Sequence, residues 1–212
     1  MLHYLKRLQK IERELYKMMK RKELYNNKFS ILSSNCVGTF IYCDLGLPYL
    51  SPTINLSIGM DDFVKLVGNP KWYMEQKLIQ GNSEAEEYPV GLLGDIKINF
   101  IHYHTFEEAV EKWEKRKKRI EWDNLFIIGT ERDGCTYDTL RRFEELPYKN
   151  KVIFTHVKYP EFSSAYYIKG FEKKGELGTI TNFKEQFWRR RYMEDFDYVA
   201  FLNEDKDYDK NW

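Results

Sequence analysis

Apolar side chains near the start of the chain recur at alternating intervals of four and three, which predicts one amphipathic helix over residues 3–24. The members of this apolar stripe are Tyr4, Leu8, Ile11, Leu15 and Met18. The other faces of the helix are mainly basic. We expect the stripe to pack on the domain or on a second subunit, with an anionic membrane surface as the alternative partner.

Beyond residue 25, short apolar runs alternate with helical patterns. The runs that predict strands are 29–32, 95–101, 125–129 and 152–155. Helices are predicted over 37–46, over 106–120 behind a capping box, over about ten residues around Leu140, and finally over about 183–202. This alternation predicts an α/β fold in three layers, with a mostly parallel sheet and helices on both of its faces.

The predicted domain organisation has three parts. Residues 1–25 hold the amphipathic helix, 26–202 form a single α/β domain, and 203–212 form an acidic tail that Trp212 is a candidate to anchor. Within the domain, about 157–182 is expected to form a lid or hairpin insertion.

Composition narrows the class of protein. Aromatic residues make up 17% of the 212 residues, enough to form a packed core, so the chain is not disordered as a whole. A net charge of +1 argues against nucleic acid as a partner. The three cysteines indicate free thiols in a reducing compartment. No apolar run reaches the ~18 residues of a membrane span. A soluble cytoplasmic protein is expected, peripheral to the inner face of the membrane if the first helix binds lipid.

Each predicted strand ends in polar residues. The four groups are Ser33-Ser34-Asn35-Cys36, His102-Tyr103-His104, Thr130-Glu131-Arg132-Asp133 and Thr155-His156. Because the carboxyl ends of parallel strands share one edge of a sheet, these groups predict a single ligand crevice.

Within this crevice, His102 is the candidate acid or base because its ordinary pKa lies near neutrality. Asp133 is a candidate to assist His102 or to orient an acceptor substrate, or else it caps the following helix. Cys36 is a candidate nucleophile near a helix N-terminus, or a small packed residue. Ser34, Asn35 and Asn55 are candidates to bind sugar hydroxyls or phosphate.

Two patterns raise the question of a metal. His102 and His104 project to one face of a strand, but no third ligand follows at fixed spacing. Glu131-x-Asp133 resembles the acidic pair with which nucleotide-sugar transferases hold a divalent ion. We expect no metal site, and the sequence identifies no cofactor.

Several short motifs are spread along the chain: SNC at 34–36, DLGL at 44–47, SPTINL at 51–56, YPVG at 88–91, HY at 102–103, WEKRKKRI at 113–120, NLF at 124–126 and KVIF at 151–154. Together they resemble an uncharacterised bacterial family, a domain of unknown function often labelled as an exopolysaccharide or capsule biosynthesis protein. The resemblance covers about residues 25–200 and implies a role in cell-surface polysaccharide assembly. Arg116 and Arg119, one turn apart, are candidates for a phosphate or an acidic sugar, or are the solvated end of a helix.

Together these patterns favour a sugar-directed transferase that binds a sugar or sugar nucleotide. Two alternatives stay open: a non-catalytic glycan-binding or assembly module docked through residues 3–24, and a cysteine-dependent hydrolase. A homodimer is compatible with any of the three.

Overall fold

The computed structural model describes residues 2–84 and 86–205. Its helices are α1 (Leu2–Glu23), α2 (Val37–Leu45), α3 (Met60–Gly68), α4 (Pro70–Glu75), α5 (Phe106–Lys117), α6 (Tyr137–Glu144) and α7 (Tyr198–Leu202). Its strands are β1 (Ser30–Ser33), β2 (Ser57–Ile58), β3 (Leu78–Gln80), β4 (Val90–Leu93), β5 (Ile96–Asn99), β6 (Leu125–Thr130), β7 (Lys151–Thr155) and β8 (Ala165–Tyr167).

The main sheet is parallel, with the strand order β1-β6-β7-β8. Its central strand β6 is buried on both faces from Phe126 onward, which explains why its sequence is a continuous apolar run. Ile127 and Ile153 face one core cluster, which contains side chains of α3, α5 and α6. Ile128 and Phe154 face a second, which contains side chains of α2 and α7. The predicted fold class, a mostly parallel sheet covered on both faces and preceded by a helix, is confirmed.

The run at 95–101 belongs to a second sheet that the sequence did not predict. β5 pairs antiparallel with β2 and β4, and β3 completes the order β2-β5-β4-β3. Ile96 and Ile98 are buried whereas Lys97 is exposed. This alternation is typical of an antiparallel strand with one solvated face. His102 therefore does not follow a strand of the main sheet.

The helix predicted over 183–202 is wrong. Residues 183–191 are irregular, and a 3₁₀ turn (Tyr192–Asp195) and the short α7 follow. Phe183 bridges to Arg191, and the Arg191 guanidinium lies 4.3 Å from the centre of the Phe183 ring. Lys184 N–H donates to the Arg190 carbonyl at 2.8 Å. The segment thus folds back on itself, and these tertiary contacts outweigh its helical propensity.

The segment 157–182, expected as a lid or hairpin, does not form a hairpin. It contributes β8, which extends the main sheet parallel to β7. Its last residues, 178–181, line the cavity described below.

Helix α1 confirms the helix predicted over residues 3–24. Its apolar stripe, however, faces the solvent and does not pack on the domain, which was one of the two expected arrangements. Tyr4, Ile11, Leu15 and Met18 are about half or more exposed, at 66%, 49%, 53% and 48%. The face toward the domain is polar, and its centre is the buried Arg13. Among the described residues, no helix is long and apolar enough to cross a membrane.

The end of the described chain is fixed by Asn203. Its side-chain oxygen accepts from the N–H groups of Tyr25 and Asn26 at 3.0 and 3.2 Å, which ties the C-terminal segment to the start of β1. Most of the predicted acidic tail, with Trp212, lies outside the described residues.

Glu144, at the end of α6, fixes the approach to β8. Its carboxylate accepts from the backbone N–H and the hydroxyl of both Ser163 and Ser164, at 2.5–3.0 Å. Burial acts to raise the pKa of Glu144, but these four hydrogen bonds outweigh it and lower the pKa below its ordinary value.

Replacing Glu144 with glutamine is expected to lower the free energy of unfolding by about 1–3 kcal/mol at neutral pH, because an amide cannot accept all four hydrogen bonds. Since the folded-state pKa is lowered, the stabilisation is present above the ordinary carboxyl pKa and is lost as pH falls through the folded value. Urea unfolding against pH measures this. The exposed neighbour Glu145→Gln is the control, and an equal loss in both variants would contradict the assignment.

Candidate functional site

A cavity of about 620 Å³ opens where the two sheets meet, within the size range of small-molecule sites. Its lining mixes polar and apolar side chains and includes one histidine, one arginine and one aspartate. The polar lining residues are Asn35, Cys36, Ser57, Tyr88, Asn99, His102, Thr130, Arg132, Asp133, Thr179 and Thr181. The structure therefore brings together Asn35, Cys36, His102 and Asp133 from the predicted set, and both sheets supply them.

Asn35 occupies the turn between β1 and α2. Its side-chain N–H donates to the Thr130 hydroxyl at 2.7 Å, and its side-chain oxygen accepts from Val37 N–H at 3.2 Å. The turn is tight, because a Cβ on Gly38 would meet Ser33 Cβ at 2.9 Å. Asn35 thus joins the ends of β1 and β6 as it lines the cavity. Ser34 is buried, with its hydroxyl 3.4 Å from that of Thr130, and is outside the lining.

Asp133 follows β6 in a left-handed backbone conformation, with φ of 56°. Such a conformation is uncommon for a residue other than glycine, and asparagine and aspartate tolerate it best. Its carboxylate lies 3.2 Å from Arg132 Nε and 3.5 Å from the Ser57 hydroxyl. Its backbone N–H donates to Glu176, and its carbonyl accepts from Met60 N–H. Helix α6 is capped by Thr136, so the capping role considered for Asp133 is wrong.

His102 reaches the cavity from the exposed turn after β5. Its neighbour Tyr103 is buried and donates from its hydroxyl to the Ile54 carbonyl at 2.9 Å, which fixes the turn. Thr105 then caps α5 by accepting from Glu108 N–H at 3.1 Å. The Glu108 carboxylate accepts from His104 N–H rather than from Thr105, so the capping box is only half formed.

The Cys36 thiol is ill suited to nucleophilic chemistry. Burial raises its pKa to about 11, so the thiol form dominates at neutral pH. Its sulfur donates to the Leu56 carbonyl at 3.9 Å and makes no hydrogen bond with a histidine within the described part of the chain. All three cysteines are free.

Glu131 and His156 form a separate cluster outside the cavity lining, in which Glu131 is buried and His156 is partly buried. The Glu131 carboxylate accepts from His156 N–H at 2.8 Å and from the Tyr159 hydroxyl at 2.5 Å, and it contacts His156 Nδ1 at 2.6 Å. Glu131 is therefore occupied, and it does not form an acidic pair with Asp133. In residues 2–84 and 86–205 there is no group of three or more histidine, cysteine, aspartate or glutamate side chains placed to hold a metal ion.

The other predicted binding residues have structural contacts outside the cavity lining. Asn55 has φ of 60°, and its N–H donates to the Thr39 hydroxyl at 3.0 Å. Arg116 donates to the Tyr103 hydroxyl and lies over the ring of Tyr49. The exposed Arg119 donates to the Tyr49 carbonyl at 3.5 Å.

Sequence reasoning missed several lining residues. Tyr88 lies in the loop between β3 and β4, and Asn99 is the last residue of β5. Thr179 and Thr181 come from an irregular segment. The Thr179 hydroxyl accepts from Arg132 at 3.3 Å. No periodicity marks such loop positions; the only available signal was the polar character of Asn99 at the end of a strand.

This chain matches the family model described as "Domain of unknown function (DUF1919)" over residues 7–203. The chain belongs to this family. An uncharacterized protein of Haemophilus influenzae is 46% identical over 184 residues, covering 86% of this chain and 88% of the relative. The matched region of the DUF1919 family model includes every residue of the cavity lining.

Proposed function

We propose that this DUF1919 chain acts in cell-surface polysaccharide biosynthesis as a sugar-directed transferase, with a sugar or sugar nucleotide bound in the cavity. One observation carries the proposal. A histidine, an aspartate and an arginine stand at a single cavity whose other polar side chains carry hydroxyls, amides and one thiol. Such a lining matches a ligand with many hydroxyl groups and a few charged ones.

In the proposed reaction, Asp133 accepts hydrogen bonds from the hydroxyls of the acceptor sugar and orients it. His102 takes the proton of the attacking hydroxyl as that oxygen bonds to the anomeric carbon of the donor. The bond from that carbon to the leaving phosphate breaks, and the phosphate keeps the electron pair. Arg132, already at the wall, is the group suited to receive the phosphate.

The two alternatives have less support. A glycan-binding module is expected to present a shallow aromatic surface, whereas Phe40 and Tyr88 are two of the seventeen residues that line a cavity of about 620 Å³. A cysteine-dependent hydrolase needs a thiolate next to a base, and the raised pKa and the Leu56 contact of Cys36 both disfavour it.

A binding experiment tests the proposal. A panel of sugar nucleotides and oligosaccharides is titrated calorimetrically into the full chain and into Asp133→Asn. Asparagine keeps the size and tolerates the left-handed backbone, so the fold is retained while the charge is lost. We expect the affinity of the bound ligand to fall about 10- to 100-fold, since hydrogen bonds to a charged group contribute about 1.5–3 kcal/mol.

The matched control is Asp123→Asn, an exposed aspartate in the turn before β6 and outside the cavity lining. Its affinity should equal that of the unmodified chain. If no member of the panel binds, or if Asp133→Asn binds as tightly as the control, the cavity is not the sugar site that we propose.

A further inference from the structure

Helix α1 is strongly basic compared with the rest of the chain. It has eight basic and three acidic side chains, a net +5, whereas the whole chain has a net charge of +1. Lys6, Arg7 and Lys10 are exposed and make no ion pair with any residue that the structure describes. The helix therefore presents a concentrated positive charge to the solvent.

The same helix leaves its apolar stripe uncovered. Four of the five stripe residues are about half or more exposed, and the adjoining Met19 is 59% exposed. The contacts to the domain come from the opposite face, through Arg13 to Asp44 and Glu194 and through Arg21 to the Asp44 carbonyl. Because polar contacts attach α1, the stripe is not needed to hold the helix in place.

A second exposed apolar group lies next to α1. Phe187 and Trp188 are 49% and 54% exposed, and their ring centres are 4.8 Å apart. Their loop is held against the helix, because Gln9 donates to the Phe187 carbonyl at 3.1 Å and Arg190 pairs with Glu12. The exposed Arg189 of this loop lines a cleft together with Lys6 and Lys10. We call Phe187 and Trp188 the aromatic pair.

We infer that the apolar stripe of α1 and the aromatic pair bind an anionic lipid surface, with Arg7 and Lys22 facing the lipid headgroups. Both side chains are exposed, and each lies four residues from a member of the stripe, so both are on its side of the helix. An exposed apolar stripe beside basic side chains is the pattern of a helix that lies in the membrane interface. Tryptophan and phenylalanine next to it are suited to the same boundary. Each basic side chain near an anionic surface adds about 1 kcal/mol of attraction.

A second copy of the chain is a less suitable occupant. A two-fold contact through the stripe would bring two helices of net charge +5 against each other, whereas anionic lipid complements that charge.

Membrane binding would also place the candidate site close to the lipid. Residues 178–181 line the cavity and the following residues contact α1, so a single segment connects the lipid-binding face to the candidate site. The inference stands without the proposed chemistry.

Vesicle flotation of the full chain tests this inference. We expect the chain to float with vesicles of equal parts phosphatidylcholine and phosphatidylglycerol, and to bind vesicles of phosphatidylcholine alone far more weakly. Raising the salt concentration should reduce binding to the anionic vesicles. The double variant Ile11→Asn, Leu15→Asn should bind at least about tenfold more weakly, because it removes apolar side chains from the stripe.

Neutralising two charges separates the electrostatic part. Arg7→Gln with Lys22→Gln should weaken binding by roughly 25-fold, since each basic side chain contributes about fivefold. Two controls are matched in chemistry: Ile79→Asn, half exposed on β3, and Lys115→Gln with Lys118→Gln at the end of α5. Both should bind like the unmodified chain, and circular dichroism verifies that every variant is folded.

Three results would overturn the inference. The chain could fail to bind the anionic vesicles, or the stripe variants could bind as well as their controls. Alternatively, light scattering could show a dimer that the stripe variants abolish, with no vesicle binding, in which case a second copy covers the stripe.

Discussion

Replacing Arg13 by alanine is expected to lower the free energy of unfolding by about 3–5 kcal/mol, because two buried carboxylates lose the guanidinium that neutralises them. The Arg13 guanidinium donates to both Asp44 and Glu194, whose side chains are 4% and 1% exposed. These ion pairs fix α1 to α2 and to the 3₁₀ turn. Urea unfolding followed by circular dichroism measures the loss.

Two further variants separate charge from packing. Arg13→Met fills a similar volume but still removes the guanidinium from Asp44 and Glu194, so it should lose almost as much stability as the alanine variant. Arg7→Ala removes an exposed arginine of the same helix and should change the free energy of unfolding by no more than about 0.5 kcal/mol. Full recovery in Arg13→Met would show that packing, rather than pairing, is what Arg13 contributes.

The stability lost in Arg13→Ala should depend on pH. Burial raises the pKa of Glu194, while the charge and hydrogen bond of Arg13 lower it; burial prevails and the pKa lies above its ordinary value. Ionising Glu194 in the folded protein therefore costs stability as pH rises past the unfolded pKa. Without Arg13 this cost increases. The deficit of Arg13→Ala should be largest at neutral pH and should shrink as Glu194 becomes protonated.

Replacing His102 by alanine is expected to lower kcat of the proposed transferase by about 10²- to 10⁴-fold, the usual contribution of a general acid or base. The side chain lies in an exposed turn, so the free energy of unfolding should stay within about 0.5 kcal/mol. Turnover of a sugar nucleotide that binds the cavity is the measurement.

His104→Ala is the matched control, since His104 is exposed two residues away and lies outside the cavity lining. It should retain the turnover of the unmodified chain. If both histidine variants lose activity equally, the effect comes from the turn and not from proton transfer. Unchanged turnover in His102→Ala would remove the histidine from the proposed reaction while leaving sugar binding to be judged from Asp133→Asn.

The candidate site was only partly readable from the sequence. Polar residues after apolar runs correctly pointed to Asn35 and Asp133, because both follow strands of one parallel sheet. Glu131 and His156 fit the same rule, yet their side chains bind each other away from the cavity. Neighbouring side chains at a strand end point in opposite directions, so the rule locates an edge without saying which residues face the ligand.

His102 also shows that strand-end patterns cannot predict the full site. It lines the cavity, although the reason given for expecting it there was wrong, since β5 belongs to the antiparallel sheet. How a second sheet packs against the first depends on contacts between residues far apart in the chain. The local sequence pattern contains no information about those contacts.

The sequence by itself determined the elements whose signals are local. The heptad-like spacing gave α1, the Thr105 cap gave the start of α5, and the unbroken apolar run gave the buried strand β6. Only the tertiary structure decided that α1 turns its polar face inward, because the buried Arg13 finds its partners at Asp44 and Glu194, 31 and 181 residues away. An ion pair of that kind stabilises one orientation of a helix, and the helix's own pattern does not reveal which.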